Sequence, residues 1–280
     1  MNSLTTVRAG AYLHHLHILS PDPDRLAHFY GEAIDMVVSR HDAKTWLCSG
    51  PGRCLLISEG PAKSLAYGAY ACRDLEGLQD IRTRAEKEGL QPRIFDGPFF
   101  AKGAFSVCDP DGNVIVFGFS EDGPAKGRGL KAPLQHLTLT TRNVNVLEKF
   151  YTDKLGFAVS DRVVNEKGEL MTCFMRSNHE HHTLAFFCKD VQGMDHHSYE
   201  AGDWNTIRDW CDRLAEHKIQ LMWGPGRHGP GNNLFVFIED PDGNWVEISA
   251  ELEIIYDRPV KEWPHAERTL NLWGRAIMRA

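Results

Sequence analysis

The sequence predicts an α+β protein built of tandem βαβββ modules that form two curved-sheet domains. Three observations carry the prediction. A strand-like run around a histidine occurs twice, Leu-His-His-Leu-His-Ile-Leu at 13–19 and Leu-Gln-His-Leu-Thr-Leu-Thr at 134–140. Each is followed by a helical stretch with a Phe-Tyr pair, Phe29-Tyr30 and Phe150-Tyr151. Each half then closes near Asp-Pro-Asp-Gly-Asn, at 109–113 and 240–244. The first two landmarks repeat after 121 residues (136 − 15 and 150 − 29) and the third after 131 (240 − 109), so the second copy carries about ten extra residues. Matching landmarks in the same order favour a tandem duplication over chance.

In the second copy, residues 134–141 alternate as a strand, with His136, Thr138 and Thr140 on one face and Leu137 and Leu139 on the other. Residues 143–155 place Leu147, Phe150, Tyr151 and Leu155 at amphipathic-helix spacing, and Gly156 stops the helix. Short β-rich runs follow at 159–165, 171–176 and 183–188, with a further strand candidate at 194–200. A second helix after Asp203 carries Trp204, Ile207, Trp210, Cys211 and Leu214. Residues 234–239 and 245–249 flank a Pro-Asp-Gly turn and read as a hairpin. Each half is thus a pair of modules. The predicted domains are 1–125 and 126–255, joined by a Gly- and Lys-rich connector over 120–132. A tail over 256–280 follows, helical around 267–278.

Composition narrows the function. The 280 residues are 42% hydrophobic and 25% charged, as in an ordinary globular protein. With 31 Lys+Arg against 38 Asp+Glu, the formal net charge of -7 argues against nucleic-acid or membrane partners. No apolar run spans a bilayer, and residues 1–10 lack a signal core. Seven cysteines without a C-x-x-C pair fit reduced thiols in a cytoplasm.

The second half carries the polar groups that a core would reject. His136 faces one side of its strand. Glu247 opposes Val246 and Ile248, and alternation over 194–200 pairs His196 with Ser198. Two imidazoles and a carboxylate from three strands of one curved sheet can converge, and such a set suits non-haem Fe(II) with open positions. Taken singly, each histidine reads as a structural residue, since the chain has 14 of them.

The segments Gly224-Pro225-Gly226-Arg227-His228, His181-His182-Thr183-Leu184-Ala185 and Asp240-Pro241-Asp242-Gly243-Asn244-Trp245-Val246-Glu247 strongly resemble the vicinal oxygen chelate superfamily. Within it, the two-domain type I extradiol catechol dioxygenases match best, from about Leu13 to Ile254. The resemblance implies that His136, His196 and Glu247 hold Fe(II), with Mn(II) as the alternative. His196 is chosen over His197 because the family places a Glu four residues beyond the ligand, as Glu200 lies here. It implies His182 as the acid–base histidine, His228 beside the substrate hydroxyl and Phe174 beside the ring. The family's usual tyrosine ten residues before the carboxylate ligand is Phe237 here, which keeps a wall and loses an O–H; Asn232 or His228 is the substitute donor. The first half has His15 opposite His136 but Val116 for Glu247 and Tyr67 for His196, so it is expected to be metal-free.

The implied activity is ring opening of a catecholic substrate by O2, in a homo-oligomer. Two other readings stand beside it: a non-catalytic module of this fold that binds a small aromatic, and a glyoxalase-like metal-dependent isomerase or lyase. For the tail, residues 262–279 either cover the pocket or contact a neighbour, or form a helix packed on their own domain.

Overall fold

The structure is a computed structural model and describes residues 4–125 and 129–278. The middle of the connector and residues 279–280 of the tail therefore lie outside the described residues. After a single helical turn α1 (Thr5–Arg8), the first half runs β1 (Tyr12–Ser20), α2 (Pro23–Ala33), β2 (Val37–Arg40), β3 (Thr45–Gly50) and β4 (Arg53–Glu59). It continues as β5 (Ser64–Cys72), α3 (Leu75–Lys87), β6 (Arg93–Ile94), β7 (Phe105–Cys108) and β8 (Val114–Phe119). The second half repeats this order with β9 (Leu134–Thr141), α4 (Val144–Lys149), β10 (Ala158–Val164), β11 (Leu170–Arg176) and β12 (Leu184–Cys188). Its second module is β13 (Gly193–Glu200), α5 (Trp204–Glu216), β14 (Trp223–Arg227), β15 (Leu234–Glu239) and β16 (Trp245–Ala250).

Each half is one sheet. The orders are β2-β3-β4-β1-β5-β8-β7-β6 and β14-β15-β16-β13-β9-β12-β11-β10 followed by a tail strand, so the first strands of paired modules lie together at the centre. This is the α+β arrangement of tandem βαβββ modules. The register makes the duplication concrete. His15 opposes Ala69 and His17 opposes Tyr67 in the first sheet, where His136 opposes Ser198 and Thr138 opposes His196 in the second. Ala69 pairs with Val116 as Ser198 pairs with Glu247. Val116 and Tyr67 therefore occupy the places of Glu247 and His196.

Alternation sorts the side chains. Leu137, Leu139, Val246 and Ile248 face the helices and join one core that runs through both halves, with Ile207, Trp210 and Leu214 of α5. The opposite, concave face of the first sheet is filled by Leu56, Tyr67, Ala69 and Val116, with Phe95, Phe99 and Phe100 against them. The concave face of the second sheet holds the polar groups described below.

The halves are stapled reciprocally by the landmarks that reveal the repeat. Tyr30 of α2 donates to Asp240 Oδ2 at 2.9 Å, and Tyr151 donates to Asp109 Oδ2 at 3.1 Å. Each aspartate also caps its own turn, Asp240 Oδ1 accepting from the backbone N–H of Asp242 and Asn244.

Two elements differ from expectation. The helix over 143–155 is α-helical only to Lys149 and continues as a π-helix over Phe150–Leu155, whose wider turn still buries Tyr151 and Leu155. Gly156 ends it at φ 81°, where a Cβ would lie 2.6 Å from the Thr5 backbone nitrogen. The tail is not helical over 267–278: a strand β17 (Lys261–Pro264) extends the second sheet beside β10, and only the turn α6 (Glu267–Leu270) is helical. Trp263 is drawn onto Val163 and Phe174, and the Asn271 side chain accepts from the Trp273 N–H, which turns the chain out of a helix.

Candidate active site

The three strands β9, β13 and β16 lie side by side, and each contributes one buried side chain to the concave face. His136, His196 and Glu247 offer ligand atoms that all lie within 4.8 Å of one another. Nε2 of His136 is 3.2 Å from Nε2 of His196 and 3.0 Å from Glu247 Oε2, and His196 Nε2 is 3.5 Å from that oxygen. Lone pairs of two imidazoles and a carboxylate converging in an apolar wall are a donor set that a divalent cation fits. Among the described residues no fourth His, Cys, Asp or Glu joins the group.

Each of the three is aimed by a neighbour. Gln135 Oε1 lies 3.3 Å from His136 Nδ1, and Asp195 Oδ1 lies 2.7 Å from His196 Nδ1. These acceptors put the ring protons on Nδ1 and leave Nε2 for the metal position. Asn233 donates to Glu247 Oε1 at 3.2 Å. Lys189 completes the second layer, its Nζ 2.8 Å from Asp195 Oδ2.

Electrostatics keep the set ready to coordinate. Burial opposes ionisation of Glu247, but the three imidazoles packed against it, His136, His196 and His228, hold its carboxyl well below the usual range. Burial pushes His136 down, against the pull of Glu247. His182 is pushed further below its ordinary value, by burial first and then by the imidazoles of His136 and His181. Neutral His136 and His182 and an ionised Glu247 result.

Around the set is a small cavity of about 30 Å³. His182 lies on one wall, its ring centroid 4.2 Å from that of His136, and Phe174 stands edge-on to it at 5.0 Å. His228 lies opposite, stacked on Phe235 at 3.9 Å, and its Nδ1–H donates to the Leu270 carbonyl of the tail. Its Nε2 is 3.6 Å from Glu247 Oε1. Phe187, Trp223, Phe237 and Leu270 add an apolar lining, and among the described residues no Lys or Arg side chain takes part in it. Through Leu270 the tail contributes to the cavity wall.

The structure brings together His136, His196, Glu247, His182, His228, Phe174 and Phe237. It does not bring Asn232. That residue sits exposed in a tight turn at φ 54°, its carbonyl accepting from Arg227, so it offers no donor to the cavity. Its neighbour Asn233 is the amide that reaches the site. The choice between adjacent histidines is also resolved: His197 faces the helices, 3.0 Å from the Tyr30 hydroxyl, while His196 faces the cavity. Gln135, His181, Asp195, Asn233 and Trp223 are site residues that the sequence reading did not single out, whereas Leu270 lies in the tail that it offers as a cover. The doublets Gln135-His136, His181-His182 and Asp195-His196 were the available signal, each pairing a site histidine with a polar neighbour.

Comparison with known proteins gives three results. The model of the glyoxalase/bleomycin resistance protein/dioxygenase superfamily matches residues 134–248. Metapyrocatechase 2 of Cupriavidus necator is 27% identical over 274 residues, covering 87% of this chain and 82% of that protein. Among solved structures, the anaerobic complex of homoprotocatechuate 2,3-dioxygenase from Brevibacterium fuscum with 3,4-dihydroxyphenylacetate superposes with a TM-score of 0.81 at 21% identity, covering 95% of this chain and 89% of that one. The Mn(II)-bound glyoxalase from Novosphingobium aromaticivorans also gives 0.81, at 24% identity, covering 94% and 90%. At these identities the structural likenesses establish the fold.

Proposed function

Residues 134–248 match the glyoxalase/bleomycin resistance protein/dioxygenase superfamily, and from that premise we propose that the chain is an extradiol dioxygenase opening the ring of a catechol-type substrate with O2. The observation that carries the reading is the buried triad of His136, His196 and Glu247, with no fourth His, Cys, Asp or Glu grouped with it among the described residues, beside His182. The triad would hold Fe(II), or Mn(II) in its place. A bound Fe(II) supplies Lewis acidity toward the diol and a redox route between ring and O2.

The remaining work belongs to side chains of this chain. Phe174, Phe187, Trp223, Phe237 and Leu270 exclude water and clasp an aromatic ring. Their apolar character, without a lining cation, suits a diol that carries no carboxylate. His228 is held by the Leu270 carbonyl so that Nε2 turns toward a substrate hydroxyl. His182 moves a proton at an oxygen of the substrate, which its displaced pKa leaves it free to accept as a neutral base. Both oxygen atoms of O2 end in the ring-opened product. The first half, 1–125, serves as metal-free scaffold for the catalytic half, 126–255, with 256–280 as its cover. Seven free cysteines fit a cytoplasmic protein, and the family resemblance fits a homo-oligomer. No helix among the described residues is long and apolar enough to cross a membrane.

The test is anaerobic loading with Fe(II), then oxygen-electrode assays over one- and two-ring catechols. Stoichiometric O2 uptake with a yellow ring-opened product is expected. Tight catechol binding without uptake would select a binding module, and an isomerised product without uptake would select glyoxalase-like chemistry.

A further inference from the structure

Behind His182 runs a chain of buried polar groups that the triad does not use. His182 Nδ1 lies 2.9 Å from His181 Nδ1, so one ring donates and the other accepts. The far nitrogen of His181, Nε2, lies 3.1 Å from Asp161 Oδ2. That contact is short but poorly aligned for a hydrogen bond, and Nε2 has no other partner among the described residues. Its protonation is nevertheless decided by charge: a lone pair so close to a buried carboxylate oxygen would be repelled by it, whereas an N–H is attracted.

Asp161 is itself held from the tail side. Arg258 donates to Oδ1 at 2.8 Å and Trp263 Nε1–H donates to Oδ2 at 2.8 Å. Burial opposes its ionisation, yet His181, Trp263 and Arg258 keep the carboxyl below its ordinary range. With its ring proton on Nε2, facing Asp161, His181 presents a lone pair on Nδ1 to His182. The shared contact then requires His182 to carry its proton on Nδ1, and leaves Nε2 as the unprotonated ring nitrogen at the cavity.

We infer that Asp161 and His181 are positioning residues that lock His182 in its Nδ1–H form, so that His182 meets the substrate as a base before it acts as an acid. The inference about the lock stands on the contacts alone; its catalytic consequence rests on reading His182 as the proton carrier of the proposed dioxygenase. The tail enters the site twice by this account, through Leu270 on His228 and through Arg258 and Trp263 on Asp161.

The experiment is ring-nitrogen NMR of the full chain labelled with 15N-histidine, metal-free and loaded with diamagnetic Zn(II), with His182 assigned by His182→Gln. The expected result is a protonated Nδ1 and bare Nε2 on His182, with the opposite form on His181. His181→Leu and Asp161→Asn should mix the two forms of His182. Both should lower kcat at least tenfold with KM within twofold and metal content unchanged, whereas His181→Asn, whose amide oxygen can stand in for Nδ1, should recover most of the loss. A protonated Nε2 on His182 in the unaltered chain, or an unchanged tautomer and kcat in both variants, would overturn the inference. Should the protein prove to consume no O2, the tautomers still decide the lock, so the two readings fail separately.

Discussion

Asp195 touches no substrate wall, yet it grips His196 at 2.7 Å and is itself gripped by Lys189. Asp195→Asn is expected to weaken metal binding about 10–100-fold, because an outer partner sets the orientation and basicity of a ligand imidazole; competition with a chelator measures it. Phe237 lies on the cavity wall where the family usually carries a hydroxyl. Phe237→Tyr should raise kcat/KM for catechol about tenfold, the lower end of a hydrogen bond to a charged group worth about 1.5–3 kcal/mol, and oxygen-uptake kinetics would read it. Glu200 supports the site through Gln135, whose amide donates to Oε2 at 2.8 Å. Burial, with Glu180 nearby, raises its carboxyl from 4.5 to about 7. Between those values the folded chain binds a proton that the unfolded chain has released, so stability falls as pH rises through the interval. Glu200→Gln should flatten that slope by on the order of 1–2 kcal/mol, the partial exposure of the group being allowed for; urea unfolding at pH 4.5 and 7.5 tests it.

At the level of elements, α2 and the π-helical segment after α4 each send one tyrosine across to the other half's turn. Tyr30→Phe and Tyr151→Phe should each cost about 1–3 kcal/mol, since a buried aspartate loses a donor. The two bridges share no residue, so the double variant should be additive within about 0.5 kcal/mol; coupling well beyond that in denaturant titrations would count against independent staples. These bridges explain why the repeat was legible. Tyr30 and Tyr151, and Asp109 and Asp240, stand at matching places in both copies, and their local contexts, an amphipathic helix and a Pro-Asp-Gly turn, are written in short-range patterns. The tail was illegible for the opposite reason. Leu270, Leu272 and Trp273 have the apolar content of a helix, but Trp263 is captured by the sheet edge and by Asp161, 102 residues back in the chain.

Across the whole molecule, one fold is used twice and the two copies differ in what fills their concave faces. Where the second half has its triad, the first has His15 ringed by Tyr67, Phe99 and Phe100 at centroid separations of 5.5, 5.1 and 5.2 Å, with Val116 in the carboxylate's place. One divalent ion per chain is therefore expected on loading, measured by metal analysis after gel filtration; a second tightly held ion would refute the assignment of the first half as scaffold. The asymmetry is economical in physical terms, because an aromatic filling of the first face supports the shared core without a buried charge.

Strand alternation and helical spacing are enough to find the duplication and to sort His136, His196 and Glu247 by strand face, while the family resemblance picks them out and sets Val116 and Tyr67 in the places of Glu247 and His196. Alternation and spacing are short-range periodicities, and a side chain's face follows from them directly. Which groups meet is another matter. That His197 turns to Tyr30, that Asn233 rather than Asn232 reaches Glu247, and that Asp161 stands behind His181 depend on register, turn geometry and packing between segments far apart in the chain. No local pattern encodes those distances; they arise only when the sheet closes around the cavity and the tail is laid over it.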